Sequence, residues 1–350
     1  MVSRAILGAF RDGLVEVRRV PRQHVKRVAT LERALLGRFG SLQHAIVIQV
    51  DGPIDLVQEH LGHGVANYLA EARLRNGERI LLGPGRCVFH MSEWLRNAPS
   101  KLRISGVTIT SVCGDSYPFH DETRNVCLDS DANVNLLSQA FEYPTSIRMT
   151  SRHVFHENDP WRVQYFAQLQ EEPPTLAVLG VGVLNQKHQL ALLTDSASSQ
   201  SLPRVAVIPA VRERIQSLVK RTQEIATAPA AGLRHTVAEV GMRLFSVPAE
   251  GAASNAGEDR ELNELNEMIK EINGSLFAPG PEHYSEVRSI LLVGGRDGKA
   301  HPMKHLLENA TGSKRNETGQ KAEFPAGLPI HVLCTDEATA KQLLQSDSGW

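Results

Sequence analysis

Ser289-Ile-Leu-Leu-Val-Gly-Gly-Arg-Asp-Gly-Lys299-Ala, followed about thirty residues later by Val332-Leu-Cys-Thr-Asp-Glu-Ala-Thr-Ala-Lys-Gln-Leu-Leu344, carries two successive strand-to-helix units. In the first, an apolar run is broken by Gly294-Gly295, and Lys299 sits where the next helix is expected to begin. In the second, Ile330 to Leu333 is a short run of β type and Thr335 is the expected N-cap. Asp336 and Glu337 then fall in the first helical turn, where the helix dipole favours carboxylates. Together the units place glycine, lysine and free backbone N–H groups along one edge of a parallel sheet. That edge is where open α/β sheets bind small ligands.

The same alternation extends outward from this pair. Ala45 to Val50, Arg79 to Leu82, Val107 to Val112 and Leu176 to Leu184 read as strands. Ile54 to Leu74, Phe89 to Leu95 and Val134 to Phe141 read as helices. Asp159-Pro160 supplies an N-cap and a proline at the first helical position, opening a further helix to Leu169. Strands alternating with helices in this way predict an α/β fold, a mostly parallel Rossmann-like sheet covered on both faces. The regularity then lapses. Val211 to Ile225 is a charged amphipathic helix, Pro229 to Gly232 a turn, and Thr236 with Glu239 forms a capping box for a helix running to Phe245. Pro248 to Gly257 is small and polar, a loop, and Thr311 to Gly327 reads as a surface insertion. At the other end, Val2 to Ala9 has a helical pattern, Gly13 stops it, and Leu14 to Val17 alternates like a short strand. Helix, glycine and short strand is the order of a recognition helix leading into a wing. Pro21 and the basic stretch after it read as a linker, and a second helix starts near Thr30.

The chain of 350 residues is long enough for one large domain or two ordinary ones, and its 41% hydrophobic content is that of a globular core. No apolar run approaches the ~18 residues that a membrane span needs, and the N-terminus lacks the apolar stretch of a signal peptide, so a cytoplasmic protein with no membrane partner is expected. Cys87, Cys113, Cys127 and Cys334 form no CxxC pair, which argues for buried thiols rather than disulfides or a zinc ribbon. The net charge of −1 is unevenly spread: residues 1–40 hold nine Lys/Arg against three acidic residues, and the remainder is acidic. A basic leading segment on an acidic body fits either nucleic-acid contact or a solvated helix face.

Two loops carry candidate chemistry. Leu81-Leu-Gly-Pro-Gly-Arg-Cys87 follows a strand and precedes a helix, so its backbone N–H groups and Arg86 are placed to meet a phosphate; two glycines at such a turn also occur without any ligand. Lys299, just past a strand-ending Gly-Gly, can meet a phosphate as a point charge or, if desolvated, attack a carbonyl; a solvated cap lysine has the same sequence. The pairs His60/His63, His153/His156 and His301/His305 have helical spacing without the acidic or cysteine partners of a zinc pattern, so no metal and no cofactor is expected. Nucleophile elbow, Walker loop and complete Gly-x-Gly-x-x-Gly are all missing from the sequence, and it spells out no catalytic residues.

These segments together resemble the SorC family of bacterial sugar-responsive transcriptional regulators, over nearly the whole chain. Val2 to Val17 is similar to the family's "VSRLL..A...G.V.I" segment, the end of a recognition helix plus wing. Leu31-Glu32, Leu35 and Phe39-Gly40 resemble the start of the effector domain, and Leu61-Gly62 with Ala66, Tyr68 and Leu69 its first long helix. Gly83, Gly85 and Arg86 match a sugar-phosphate loop usually written G-x-G-x-T. Leu179 to Gly182 resembles "vGIG", Gly241 to Gly251 "G...ffd..G", and the opening pair "aGG..KA.AI" and "LiTDeaTA..LL".

The resemblance implies a non-enzymatic regulator of carbohydrate catabolism, with a fold shared with ribose-5-phosphate isomerase and glucosamine-6-phosphate deaminase. Its domains run 1–20 for a partial winged helix, 21–30 for a linker and 31–346 for the effector domain. A phosphorylated sugar would be bound by Gly83, Gly85, Arg86, Cys87, Ser246, Gly294, Gly295 and Lys299. A DNA operator would be met by Ser3, Arg4 and Arg11 if the helix-turn-helix is complete, and the assembly would be a homodimer or homotetramer. The sequence departs from the family pattern where Cys87 replaces a threonine, Pro84 removes a loop N–H, and Ser246 stands in place of an aspartate. It also begins inside the recognition helix, so a truncated effector-binding protein is one alternative and a phosphosugar isomerase or deaminase another.

Overall fold

In the four-residue strand Arg79–Leu82, Ile80 and Leu82 pack on one side and Leu81 on the other, all with at most 1% exposure. A strand apolar on both faces must be covered on both, and the alternation repeats along the sheet. The computed structural model describes residues 25–71, 74–113, 120–121, 126–127, 130–148, 160–184, 213–214, 216–222, 235–248, 256–275, 278–284, 287–296, 298–310 and 328–345. Its elements begin with α1 (Ala29–Arg38), β1 (His44–Ile48), α2 (Ile54–Ala70), β2 (Arg79–Leu82), α3 (Arg86–Arg96) and β3 (Thr108–Ser111). A two-stranded ribbon, β4 (His120–Asp121) and β5 (Val126–Cys127), precedes α4 (Ser130–Ser138), β6 (Ser146–Arg148), α5 (Pro160–Glu171) and β7 (Leu176–Val183). Then come β8 (His235–Val240), β9 (Arg243–Pro248), α6 (Ala256–Ser275), β10 (Ser289–Val293), α7 (Ala300–Asn309), β11 (Val332–Asp336) and α8 (Glu337–Leu344).

Seven strands pair in the order β1-β11-β10-β7-β2-β3-β6, all parallel, and β8 and β9 extend the sheet antiparallel from the C-terminal end of β7. Helices α2, α3 and α4 cover one face through Ile46, Ile48, Val178, Leu291 and Cys334, and α1, α5, α6, α7 and α8 cover the other through Val47, Ala177, Leu292 and Leu333. The α/β class and the mostly parallel sheet are thus as the sequence predicts. From β2 the chain moves outward through β3 and β6; it then returns to β7 and runs the opposite way through β10 and β11. The order reverses between β2 and β7, and at such a switch point the flanking helices leave on opposite faces and open a crevice beyond the strand ends.

Three local expectations fail. Thr236 and Glu239 do not cap a helix: residues 235–248 form the β8–β9 hairpin, with Val240 paired to Arg243 across a two-residue turn. Gly241 and Met242 both have positive φ, 55° and 66°, the type I′ geometry that matches strand twist. Buried Val237, Val240, Leu244 and Val247 supply the β-type core, and the Glu239 carboxylate accepts a bond from the Met242 N–H, so the residue taken for a helix cap closes the turn instead. The N-cap of α8 is Asp336 rather than Thr335: Thr335 is still paired in β11, while Asp336 accepts from Ala338 N and Thr339 N at 3.0 and 3.2 Å. Helix α3 begins at Arg86 rather than Phe89, because Gly85, at φ 107°, turns the chain directly into it. Residues expected to form the wing, the 311–327 insertion and most of the 248–257 loop lie outside the described residues. Part of the expected linker is bound to the sheet: Val28 N donates to Val47 O and Gln49 N to Lys26 O, both 2.8 Å, and α1 follows at Ala29.

Helices α2 and α3 touch at backbone distance. A Cβ on Gly62 would lie 2.6 Å from the Cys87 carbonyl and 2.8 Å from Met91 N. Gly62→Ala is therefore expected to push α3 from α2 and cost about 1–3 kcal/mol, measured by urea unfolding. One turn face of this contact carries His63, packed near Trp94, where burial holds its imidazole at about 4. The unfolded chain takes up that proton near 6.5 while the folded one resists to about 4. Stability is then fully present above the unfolded value and is lost as pH falls from there toward the folded one. Because the ring is only partly buried, the loss is on the order of 1 kcal/mol, and His63→Phe is expected to flatten the stability profile over that interval.

Candidate functional site

Strands β2 and β10 are the two parallel neighbours of β7, so their C-terminal loops rise on either side of it. Gly83 continues the β2 ladder, its N–H donating to Val178 O at 2.9 Å. A Cβ there would lie 3.2 Å from that carbonyl, and one on Gly180 would lie 3.3 Å from the Pro84 carbonyl. The 83–86 loop is thereby laid against β7 itself. Gly85 is the N-cap of α3 and offers no side-chain bond to the helix, so the first-turn N–H groups of α3 have no side-chain cap. Arg86 and Cys87 form that turn, and the Asp55 carboxylate at the start of α2 pairs with the Arg86 guanidinium.

On the other side of β7, Gly294 and Gly295 end β10. A Cβ on Gly294 would meet Met303 Sδ of α7 at 3.3 Å and Val181 Cβ at 3.4 Å. One on Gly295 would lie 2.1 Å from Asp336 Oδ2, a contact possible only for glycine. Asp336 is fully buried and its Oδ2 also accepts from Thr339 Oγ1 at 2.7 Å. Arg296, at φ 50°, turns back beside it: the backbone N–H bonds Thr339 Oγ1 at 2.8 Å, Nε lies 3.7 Å from Asp336 Oδ1, and the guanidinium donates to Gly52 O at 2.7 Å and Val50 O at 2.8 Å. This arginine ties the loop after β10 to those after β1 and β11.

Lys299 is the N-cap of α7, half-buried, with its aliphatic stem 3.8 Å from the position of a Gly294 Cβ. It forms no ion pair with any described residue. Burial pushes the Cys87 thiol up to about 11, and the Lys299 ammonium is the strongest opposing influence on it. The lysine's charge therefore acts across the crevice on the first turn of α3, and the thiol is neutral at pH 7. Cys334 lies behind the same wall, its Sγ 3.6 Å from Leu61 O, with its thiol also raised by burial.

Seven of the residues singled out from sequence, Gly83, Gly85, Arg86, Cys87, Gly294, Gly295 and Lys299, stand in the segments that follow β2 and β10. Ser246 stands apart on β9, its hydroxyl 2.7 Å from Asn266 Oδ1 of α6. Ser3, Arg4 and Arg11 lie outside the described residues. Sequence reasoning missed Asp55, Arg296 and Asn133. Asn133, on α4, donates from Nδ2 to the Gly83 carbonyl at 3.2 Å, across fifty positions of chain that give no local signal. Among the described residues no group of three His, Cys, Asp or Glu side chains is placed to hold a metal, and no helix is long and apolar enough to cross a membrane. Gly295→Ala is expected to displace Asp336 from the α8 cap and lower the melting temperature by several degrees in calorimetry, a cost of about 2–3 kcal/mol.

No protein-family model matches the chain, and no curated protein sequence does. Solved structures do. The full-length sorbitol operon regulator SorC from Klebsiella pneumoniae superposes with a TM-score of 0.57 at 13% identity, over 98% of this chain and 89% of that one. A transcriptional regulator from Streptococcus pneumoniae gives 0.58 at 13%, over 92% and 98%, and a DeoR family transcriptional regulator from Listeria monocytogenes 0.53 at 14%, over 90% and 98%. At these identities the likeness establishes a shared fold, that of the SorC and DeoR type of regulator.

Proposed function

We propose that this chain is a sugar-responsive transcriptional regulator, not an enzyme, whose effector is a phosphorylated sugar bound in the crevice between the loops that follow β2 and β10. The observation that carries this reading is Lys299: a half-buried ammonium without a carboxylate partner among the described residues, acting across the crevice on an N-terminus of α3 that no side chain caps. A lysine beside a helix N-terminus whose N-cap glycine offers no side-chain bond is the arrangement of an anion site, and the lysine forms no ion pair with any described residue. Arg86 is committed to Asp55 and Arg296 to Asp336, so both frame the crevice rather than supply its free charge. Gly83, Gly85 and Cys87 form the phosphate side, with Gly294 and Gly295 opposite. Ser246 would join the effector only by exchanging its bond to Asn266.

The solved structures named above are of transcriptional regulators, which supports a regulator over a phosphosugar isomerase or deaminase. The described α/β body is the effector domain, and the protein works in the cytoplasm on an operator as a homodimer or homotetramer; the segment expected to be a partial winged helix, residues 1–20, lies outside the described residues. The effector acts by binding one functional state of that assembly more tightly than another.

A thermal-shift screen of sugar phosphates, beginning with ribose 5-phosphate and glucosamine 6-phosphate, tests the site. A ligand of the native state raises stability by about 2.7 kcal/mol at a hundredfold excess over Kd, and Lys299→Ala is expected to weaken binding at least tenfold. No shift with any sugar phosphate at millimolar concentration, or turnover of either compound at an enzymatic rate, would overturn the reading.

A further inference from the structure

Asn133 is fully buried on α4, and only half of its amide is used. The Gly83 carbonyl can only accept, so the NH2 group must face it, at 3.2 Å. That orientation leaves Oδ1 buried with no hydrogen-bond partner among the described residues. A leucine of similar size would fill the same space without an orphaned acceptor, so burying this amide works against stability. What the amide does achieve is local: it holds the carbonyl of the residue at which β2 ends and the loop into α3 begins.

That carbonyl sets the direction in which the loop leaves the strand. The Gly83 N–H is fixed to Val178 O, and Gly85 turns at φ 107° into α3, whose first bond runs from Phe89 N to Gly85 O at 2.9 Å. Between these anchors, the peptide plane of Gly83 and Pro84 is free to rotate unless its oxygen is held, and Pro84 has no N–H with which to hold it. We propose that Asn133 is a positioning residue for the effector site, holding the Gly83 carbonyl so that the 83–86 loop presents the α3 N-terminus toward Lys299. The residue touches no effector; it acts through the loop. Its effect on affinity rests on the reading of the crevice as an anion site, whereas its hold on the loop does not.

The test pairs Asn133→Leu with Asn133→Asp. In the ligand-free protein, hydrogen exchange is read at the Gly83 and Phe89 amides. The leucine variant is expected to lose protection there at least fivefold while its melting temperature stays at or above that of the parent. Affinity for ribose 5-phosphate and for inorganic phosphate, by calorimetry, is expected to fall about five- to tenfold, as the loss of one buried hydrogen bond implies. The aspartate variant gives a signature that a merely structural role would not. Ionised, it has no donor for the carbonyl; protonated, it has one, and burial brings that protonation up from the usual carboxylate range. Its affinity, taken as a ratio to the parent at each pH, is expected to recover as pH falls, whereas the leucine ratio stays flat. Unchanged protection at both amides, or a general loss of protection and stability across the fold, would overturn the proposal. If neither anion binds the parent protein, the anion-site reading fails, and exchange at Gly83 and Phe89 still decides whether Asn133 holds the loop.

Discussion

The backbone hydrogen bond from Gly83 N–H to the Val178 carbonyl closes the ladder that joins β2 to β7, at the point where the strand order reverses. Parallel strands built outward from both sides of this seam must send their crossover helices to opposite faces, α3 to one and α7 to the other. The N-termini of α3 and α7 then follow the two strands that flank β7. The glycines are a product of the same constraint. Gly83 and Gly180 permit the loop to lie against β7, and Gly294 and Gly295 permit β10 to end beside Met303 and Asp336. Side chains at these positions would close the space that the topology opens.

The two ends of the sheet treat charge differently. At the N-terminal end, the buried Glu78 carboxylate accepts from Arg288 at 3.0 and 2.8 Å and from Arg75 N at 3.0 Å, and it is bonded by Thr175 Oγ1, so β2, β7 and β10 are pinned together where they start. A buried carboxylate met by that many donors is a rigid structural joint. At the C-terminal end, Arg86 and Arg296 are similarly engaged, whereas Lys299 forms no ion pair with any described residue. The two ends of the sheet thus differ in how their charges are met among the described residues.

The parallel sheet was legible in the sequence because its strands are apolar on both faces and its helices are spaced between them; β2 is read to the residue. Gly294, Gly295 and Lys299 were legible for the same reason, standing at the junction of two periodic patterns. The β8–β9 hairpin was not. Thr236 and Glu239 satisfy a helix-capping pattern, and only the positive φ of Gly241 and Met242, a property of a turn whose second residue is a methionine rather than a glycine, shows the chain reversing instead. The Asp336 cap was displaced by one residue because Thr335 is an equally good cap in sequence, and the β11 ladder claims it first. Asn133 and Asp55 were invisible, since their partners lie 50 and 31 positions away and no periodicity links them. Ser246 was drawn in by its place in a motif, but its hydroxyl is bonded within the β9–α6 layer.

The pairing of residues 26–28 with β1 does more than cover a sheet edge. Arg27 reinforces it, bonding Glu32 at 2.7 and 3.0 Å, while the Glu32 carboxylate also accepts from Val47 N at 3.0 Å. The chain is therefore joined to β1 from the point where it enters the sheet, not hung from a free tether. The pairing lies at the C-terminal end of β1, since residues 26–28 meet Val47 to Gln49, and the next residues form the Val50–Gly52 loop that Arg296 grips. Any displacement of residues 26–28 is thus handed to the Arg296-held loop within the few residues between Gln49 and Gly52.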